Sequence, residues 1–258
     1  MIDKRLLAFA AATGEVMLSN GGETYRVEDT IGRILKCYPV GAETFVTPTA
    51  IIVSMEIEDG RVYTVHKRIR KRTYHLGKVA LINDLSRQFV EGKLTLDESL
   101  QKLREIKAVP SLPLHVRIIA AGTACGSFSF ILGVHWPGWA VAFLIGILTY
   151  PVTSFLAGKK ISSFLPNIAG GGMVAVLTLA AFFVLPELTG FFDKIMIACI
   201  MPLVPGVTFT NAIRDIIEGD FISGSAYMLE ALLVALAIAA GVGFVIATWA
   251  AYMGGIPY

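Results

Sequence analysis

Past Arg117 the chain carries only 4 basic and 6 acidic residues in 141 positions, and the apolar intervals between them are too long for a soluble fold to bury. The first 117 residues hold the other 18 of 22 Lys and Arg and 14 of 20 Asp and Glu. This partition predicts a small N-terminal domain at net +4 that buries its own core, followed by a segment that needs lipid to cover it. Over the whole chain 55% of residues are hydrophobic and 16% charged, against about 25% charged in soluble domains. Asp3 in the would-be basic region and the short apolar run 6–12 argue against a signal peptide. The N-terminal domain is therefore expected in the cytoplasm.

A hydrocarbon core of about 30 Å takes a helix of about 20 apolar residues. Spans are predicted at about 117–135, 138–157, 166–186, 194–213 and 227–253. The first two form a hairpin across His135-Trp136-Pro137-Gly138, with the Trp at the interface. Lys159, Lys160 and Arg214 then lie on the cytoplasmic side and only Lys194 on the outer turns, as the positive-inside rule asks. Five spans place Tyr258 outside. The expected fold is thus a membrane protein with an α+β cytoplasmic N-terminal domain, 1–113, and a five-helix α-helical transmembrane bundle, 114–258, in the cell membrane.

Within the N-terminal domain, apolar residues from Leu6 to Leu18 recur at helical spacing until Asn20-Gly21-Gly22, and a second helix is predicted over 24–36. Strands rich in β-branched residues follow at 43–46, 50–57 and 62–66, the last two turning at Glu58-Asp59-Gly60. Helices over 76–91 and 96–106 come next, the second opened by a capping box at Thr95 and Glu98.

The strongest chemical signal is Met201-Pro202-Leu203-Val204-Pro205-Gly206-Val207-Thr208. Two prolines three residues apart remove two helix donors, so the fourth span should break and restart near Thr208. Broken membrane helices are tolerated where the freed backbone faces protein or a watery cavity, and they recur at transporter substrate sites. Unpaired amides at the restart would stabilise a carboxylate. Thr208, Asn211, Asp215 and Glu218, at spacings of 3, 4 and 3, make one face polar beside Arg214. That face either lines a solute path or lies in water at the end of a kinked helix.

Gly170-Gly171-Gly172 opens the third span, where small residues allow close helix packing or direct contact with a solute. Thr149, Tyr150, Pro151 and Thr153 give the second span a kink or a pore lining. The basic run from His66 to Arg72, with Lys78 beyond, is a solvated strand end or a contact for anionic headgroups; without an aromatic platform it does not indicate nucleic acid. Cys37, Cys125 and Cys199 are far apart in sequence and suggest neither a disulfide framework nor zinc. No metal or cofactor motif is present, and no Walker sequence supports ATP-driven pumping.

The order of parts resembles the threonine/serine exporter family. The resemblance rests on Gly21-Gly22-Glu23-Thr24-Tyr25-Arg26-Val27-Glu28-Asp29-Thr30, on Thr47-Pro48-Thr49-Ala50-Ile51, and above all on Leu203-Val204-Pro205-Gly206 followed by Asn211-Ala212-Ile213-Arg214-Asp215. It implies gradient-driven export of small amino or carboxylic acids such as threonine, serine or succinate. The longest members look like two five-span units in one chain, of which only the first is here. A small membrane partner protein of the same family, or a homo-oligomer, is therefore expected to complete the pathway. Resemblance and physics together select Pro205, Gly206, Thr208, Asn211 and Arg214 for carboxylate recognition and Asp215 or Glu218 for proton coupling. As alternatives, the N-terminal domain would act as a membrane-anchored hydrolase using Cys37, His66 or Asp84, or as a ligand-sensing scaffold.

Overall fold

A computed structural model describes residues 2–38, 41–57, 60–159 and 164–253. Their contacts divide the chain into two compact units, Met1–Ser111 with Val207–Met228, and Leu112–Gly206 with Leu229–Tyr258. The inclusion of 207–228 with the N-terminal residues could not be read from charge, because that segment is adjacent to them only in space.

The first unit begins with α1 (Ile2–Ser19) and α2 (Thr24–Leu35). Between them Gly21 adopts φ +97° and the Gly22 amide donates to the Met17 carbonyl, a left-handed helix ending that glycine makes cheap. Strands β1 (Gly41–Thr47), β2 (Ala50–Glu56) and β3 (Val62–Arg68) form an antiparallel sheet in that order. The register pairs Val53 with Thr44 and with Val65. Of the predicted turn, Glu58 and Asp59 lie outside the described residues; Gly60 has φ +74°. Alternation along β2 buries Ile51, Val53 and Met55 on one face. That face joins Leu6, Phe9, Met17, Ile31 and Ile34 in one core, to which α3 (Leu76–Val90) and α4 (Leu96–Ala108) add Ile82, Phe89 and Leu103. Both bonds of the capping box form: Thr95 Oγ1 accepts from the Glu98 amide, and Glu98 accepts from the Thr95 amide.

The second unit is helical. Among the described residues four helices are long and apolar enough to cross a membrane: α5 (Leu114–Ile131), α6 (Gly138–Gly158), α7 (Leu165–Val184) and α10 (Phe221–Met253). The count is five if the broken pair Pro186–Leu203 and Gly206–Ile217 makes one span. The described chain is thus mostly helical, with a small sheet. Lys160 and Tyr258, which bear on the orientation, lie outside the described residues. Helix α10 spans 33 residues, about 50 Å, more than a bilayer core requires; its first turns, Phe221–Met228, group with the first unit. The core of the second unit gathers Ala142, Ile145, Val174, Leu179, Phe182 and Ile195.

The glycine triplet lies in the helical body of α7 and faces two neighbours. A Cβ on Gly171 would stand 2.5 Å from the Ile238 carbonyl oxygen of α10, and one on Gly170 2.9 Å from Thr153 Cγ2. Cys125 and Cys199, distant in sequence, are neighbours here: the Cys125 thiol points to the Cys199 carbonyl at 3.9 Å and the Cys199 thiol to the Ala142 carbonyl at 3.6 Å. Both are free thiols.

Candidate functional site

The two prolines break the helix as their missing donors require. Helix α8 (Phe192–Ile200) ends in a tight turn at Met201–Leu203, Val204 is extended, and α9 (Gly206–Ile217) restarts two residues before Thr208. Pro205 is half-buried and Gly206 exposed, and both group with the second unit.

From Val207 onward α9 belongs to the first unit, and its polar face is the one it buries. Thr208, Asn211, Ala212 and Asp215 are all buried. The Thr208 hydroxyl meets the Tyr74 hydroxyl at 2.5 Å, the Asn211 amide donates to the Gly21 carbonyl at 3.5 Å, and Arg214 Nη1 donates to Glu23 Oε1 at 2.5 Å. A Cβ on Gly21 would lie 2.9 Å from the Tyr74 ring, so glycine there both permits the positive φ and leaves room for the tyrosine. The Tyr74 segment is itself tied down, Thr73 donating its amide to the Ser19 carbonyl and His75 to the Asn20 carbonyl. Two of the stretches that carry the resemblance, 21–30 and 211–215, therefore meet in space.

Charge decides how this contact is built. Glu23 is the N-cap residue of α2 yet makes no capping bond with its side chain. Its carboxylate, 7% exposed, instead accepts from Arg26 at 3.0 Å and from Arg214, which stays 53% exposed. The vacant N-terminus of α2 faces Asp215, a fully buried carboxylate. The Thr24 hydroxyl and Tyr25 amide lie nearest to it, but neither closes to a hydrogen bond with the carboxylate oxygens. The α2 dipole offsets part of this charge, and the remainder is an uncompensated cost. Gly219, at φ +90°, ends α9, and Asp220 then caps α10 by accepting from the Ser223 amide at 3.0 Å. Asp220 also approaches Glu28, whose carboxyl is held above the ordinary range by burial first and by Asp220 second.

Of the residues selected from sequence, the structure brings Thr208, Asn211, Arg214 and Asp215 together on the N-terminal elements. Glu218 lies beyond the end of α9, exposed and outside this contact. Glu23 and Tyr74 were missed; the hidden signal was an N-cap position occupied by Glu, a poor capping residue. Among the alternative hydrolase residues, Cys37 donates to the Arg33 carbonyl, Asp84 accepts from Gln88, and His66 sits in β3 opposite Ile52. Among the described residues no group of three or more His, Cys, Asp or Glu could hold a metal ion.

Several long apolar helices, with a further pair broken by prolines next to an ionisable helix face, define a multi-pass membrane protein. The chain belongs to the threonine/serine exporter family, whose profile matches residues 8–249. It is similar to the "Threonine/serine exporter" of Corynebacterium glutamicum, with 24% identity over 92% of this chain and 50% of the relative. It is also similar to the "Probable threonine/serine exporter" of Mycobacterium tuberculosis, with 22% identity over 93% and 45%. A third relative, the "Probable succinate transporter subunit YjjP" of Escherichia coli K12, is 21% identical over 92% of this chain and 91% of its own length. The chain thus spans about half the length of the first two relatives and nearly all of the third. All three are named as transporters, not as hydrolases. No solved structure matches the chain.

Proposed function

We propose that this chain is a subunit of an exporter for small amino or carboxylic acids of the threonine, serine or succinate kind, driven by an ion gradient. The observation that carries the proposal is the ion pair between Arg214 on α9 and Glu23 at the start of α2, seen against membership of an exporter family. A half-exposed guanidinium held by one internal carboxylate is a site at which a second carboxylate can compete. Exchange of Glu23 for the solute's carboxylate would release the polar face of α9 from α2 and Tyr74, with Thr208, Asn211 and the backbone after Pro205 and Gly206 free to complete recognition. Asp215, buried without a hydrogen bond, is the residue best placed to take up a proton as that contact opens. Glu218 would act from the solvent-exposed side.

The N-terminal unit is assigned to the cytoplasm because the loop with Lys159 and the segment around Arg214 then both lie inside. The relatives' names and lengths favour a partner, either a small membrane protein of the same family or a second copy of this chain, that completes the pathway.

Efflux of labelled threonine or succinate from vesicles containing the chain, with and without such a partner, tests the proposal. Efflux that needs an ion gradient, is lost in Arg214→Ala and is kept in Lys102→Ala would support it. Absence of flux under every gradient and partner combination would refute it.

A further inference from the structure

Helices α5 and α6, the end of α8 and the turn Met201–Leu203 line an open cavity of about 360 Å³ within the second unit, inside the range of small-molecule sites. Its lining includes Arg117, Thr149, Tyr150, Thr153, Cys199 and Pro202. At one end α5 and α6 touch: a Cβ on Gly146 would lie 2.7 Å from the Cys125 sulfur and 2.8 Å from the Ala121 carbonyl oxygen. The cavity lies beside the turn of α6 that contains Pro151, where the Ile147 carbonyl loses its helical donor.

Two donors in this lining have nothing to donate to. Arg117 Nε is buried and makes no hydrogen bond among the described residues, and the Thr149 hydroxyl, on a residue only 4% exposed, makes none either. Arg117 Nη1 reaches the Tyr150 hydroxyl at a long 3.4 Å. Thr153, by contrast, is satisfied by the Thr149 and Tyr150 carbonyls. Among the described residues no carboxylate lines the cavity. A fixed cation and an idle hydroxyl donor on an apolar wall complement a small organic anion, because a planar guanidinium binds both oxygens of a carboxylate. An ionisable residue among membrane helices commonly marks a solute path.

We propose that this cavity binds the carboxylate of a small organic acid, with Arg117 as the bidentate anchor and the Thr149 hydroxyl as a further donor. Identifying that acid with the exported solute rests on the function proposed above; the binding site itself does not. For an amino acid, the Tyr150 hydroxyl in the lining is an acceptor available to its ammonium group.

Cys125 and Cys199 supply a readout independent of transport, since both line the same cavity. In the full chain carrying Cys37→Ser, the rate of maleimide labelling of these thiols is measured against rising L-threonine and succinate. The expected result is protection by at least one acid and none by its uncharged amide or alcohol analogue. Arg117→Gln should weaken protection about ten- to a hundredfold, Arg117→Lys less, and Thr149→Val about three- to tenfold. Equal protection by the uncharged analogues, protection unchanged in both Arg117→Gln and Thr149→Val, or protection by anionic lipid alone would overturn the assignment. Acid efflux that persists unchanged in Arg117→Gln would overturn the identification of the bound acid with the exported solute and leave the exporter standing. Arg117-dependent protection in a chain that moves no acid would do the reverse.

Discussion

Replacing Gly171 by alanine drives a methyl group into the backbone of α10. The new Cβ would lie 2.5 Å from the Ile238 carbonyl oxygen and 3.2 Å from its carbonyl carbon, whereas carbon–oxygen contacts settle at about 3.3–3.6 Å. The helices must therefore part by roughly 0.8–1.1 Å. α7 has little room to retreat, because its next residue, Gly170, is closely packed as well: a Cβ there would stand 2.9 Å from Thr153 and 3.1 Å from Leu203. Overpacking of this kind costs about 1–3 kcal/mol. Gly172 is the internal control: a Cβ there would meet nothing closer than the Gly241 oxygen at 3.5 Å, an ordinary contact, so Gly172→Ala keeps the helix-propensity gain of about 0.8–1 kcal/mol. Both variants receive that gain, and the difference between them isolates the packing cost. At roughly 2–4 °C per kcal/mol, Gly171→Ala should melt about 2–12 °C below Gly172→Ala. Tryptophan fluorescence in detergent can follow this, since Trp249 of α10 packs on the same core. Equal melting temperatures, or a more stable Gly171→Ala, would refute the close approach of α7 and α10.

In the N-terminal unit, Thr95→Ala removes the cap of α4 and should cost about 1 kcal/mol, with Thr95→Ser near neutral, read by hydrogen exchange over the first turn of α4. Because burial and Asp220 raise the Glu28 carboxyl above its unfolded value, stability should fall as pH rises through that elevated range, and Glu28→Gln should flatten the dependence by holding the high-pH form neutral. Melting curves across that range check the sign; an unchanged slope would contradict it. Asp215→Asn keeps the shape and removes a buried charge that makes no hydrogen bond, so it should melt no lower than the parent while proton-coupled efflux is lost.

What could be read from sequence was what is local. Pro202 and Pro205 break the helix through their own covalent structure, and Thr95 caps through a residue three positions away, so neither depends on a distant partner. Burial of the Thr208–Asp215 face was hidden because its partners lie near Glu23, 191 residues from Arg214. A polar helix face carries the same pattern whether it meets water, solute or protein. Arg117 marked the edge of the first span by charge alone, and only the packing of α5 on α6 shows that its Nε lacks a partner. Cys125 and Cys199 come together for the same reason, through helix packing that no spacing encodes.

The most direct test fastens α9 to the first unit and asks whether acid still moves. In a chain with Cys37, Cys125 and Cys199 replaced by alanine, Tyr74→Cys and Thr208→Cys occupy the two sides of the hydroxyl contact and are joined by a short reducible cross-linker. Efflux of labelled threonine or succinate is measured before joining, after joining and after reduction in the same vesicles. Release of α9 during transport predicts that efflux stops when the cross-link forms and returns when it is cut. Efflux that continues undiminished through the fastened state would contradict it.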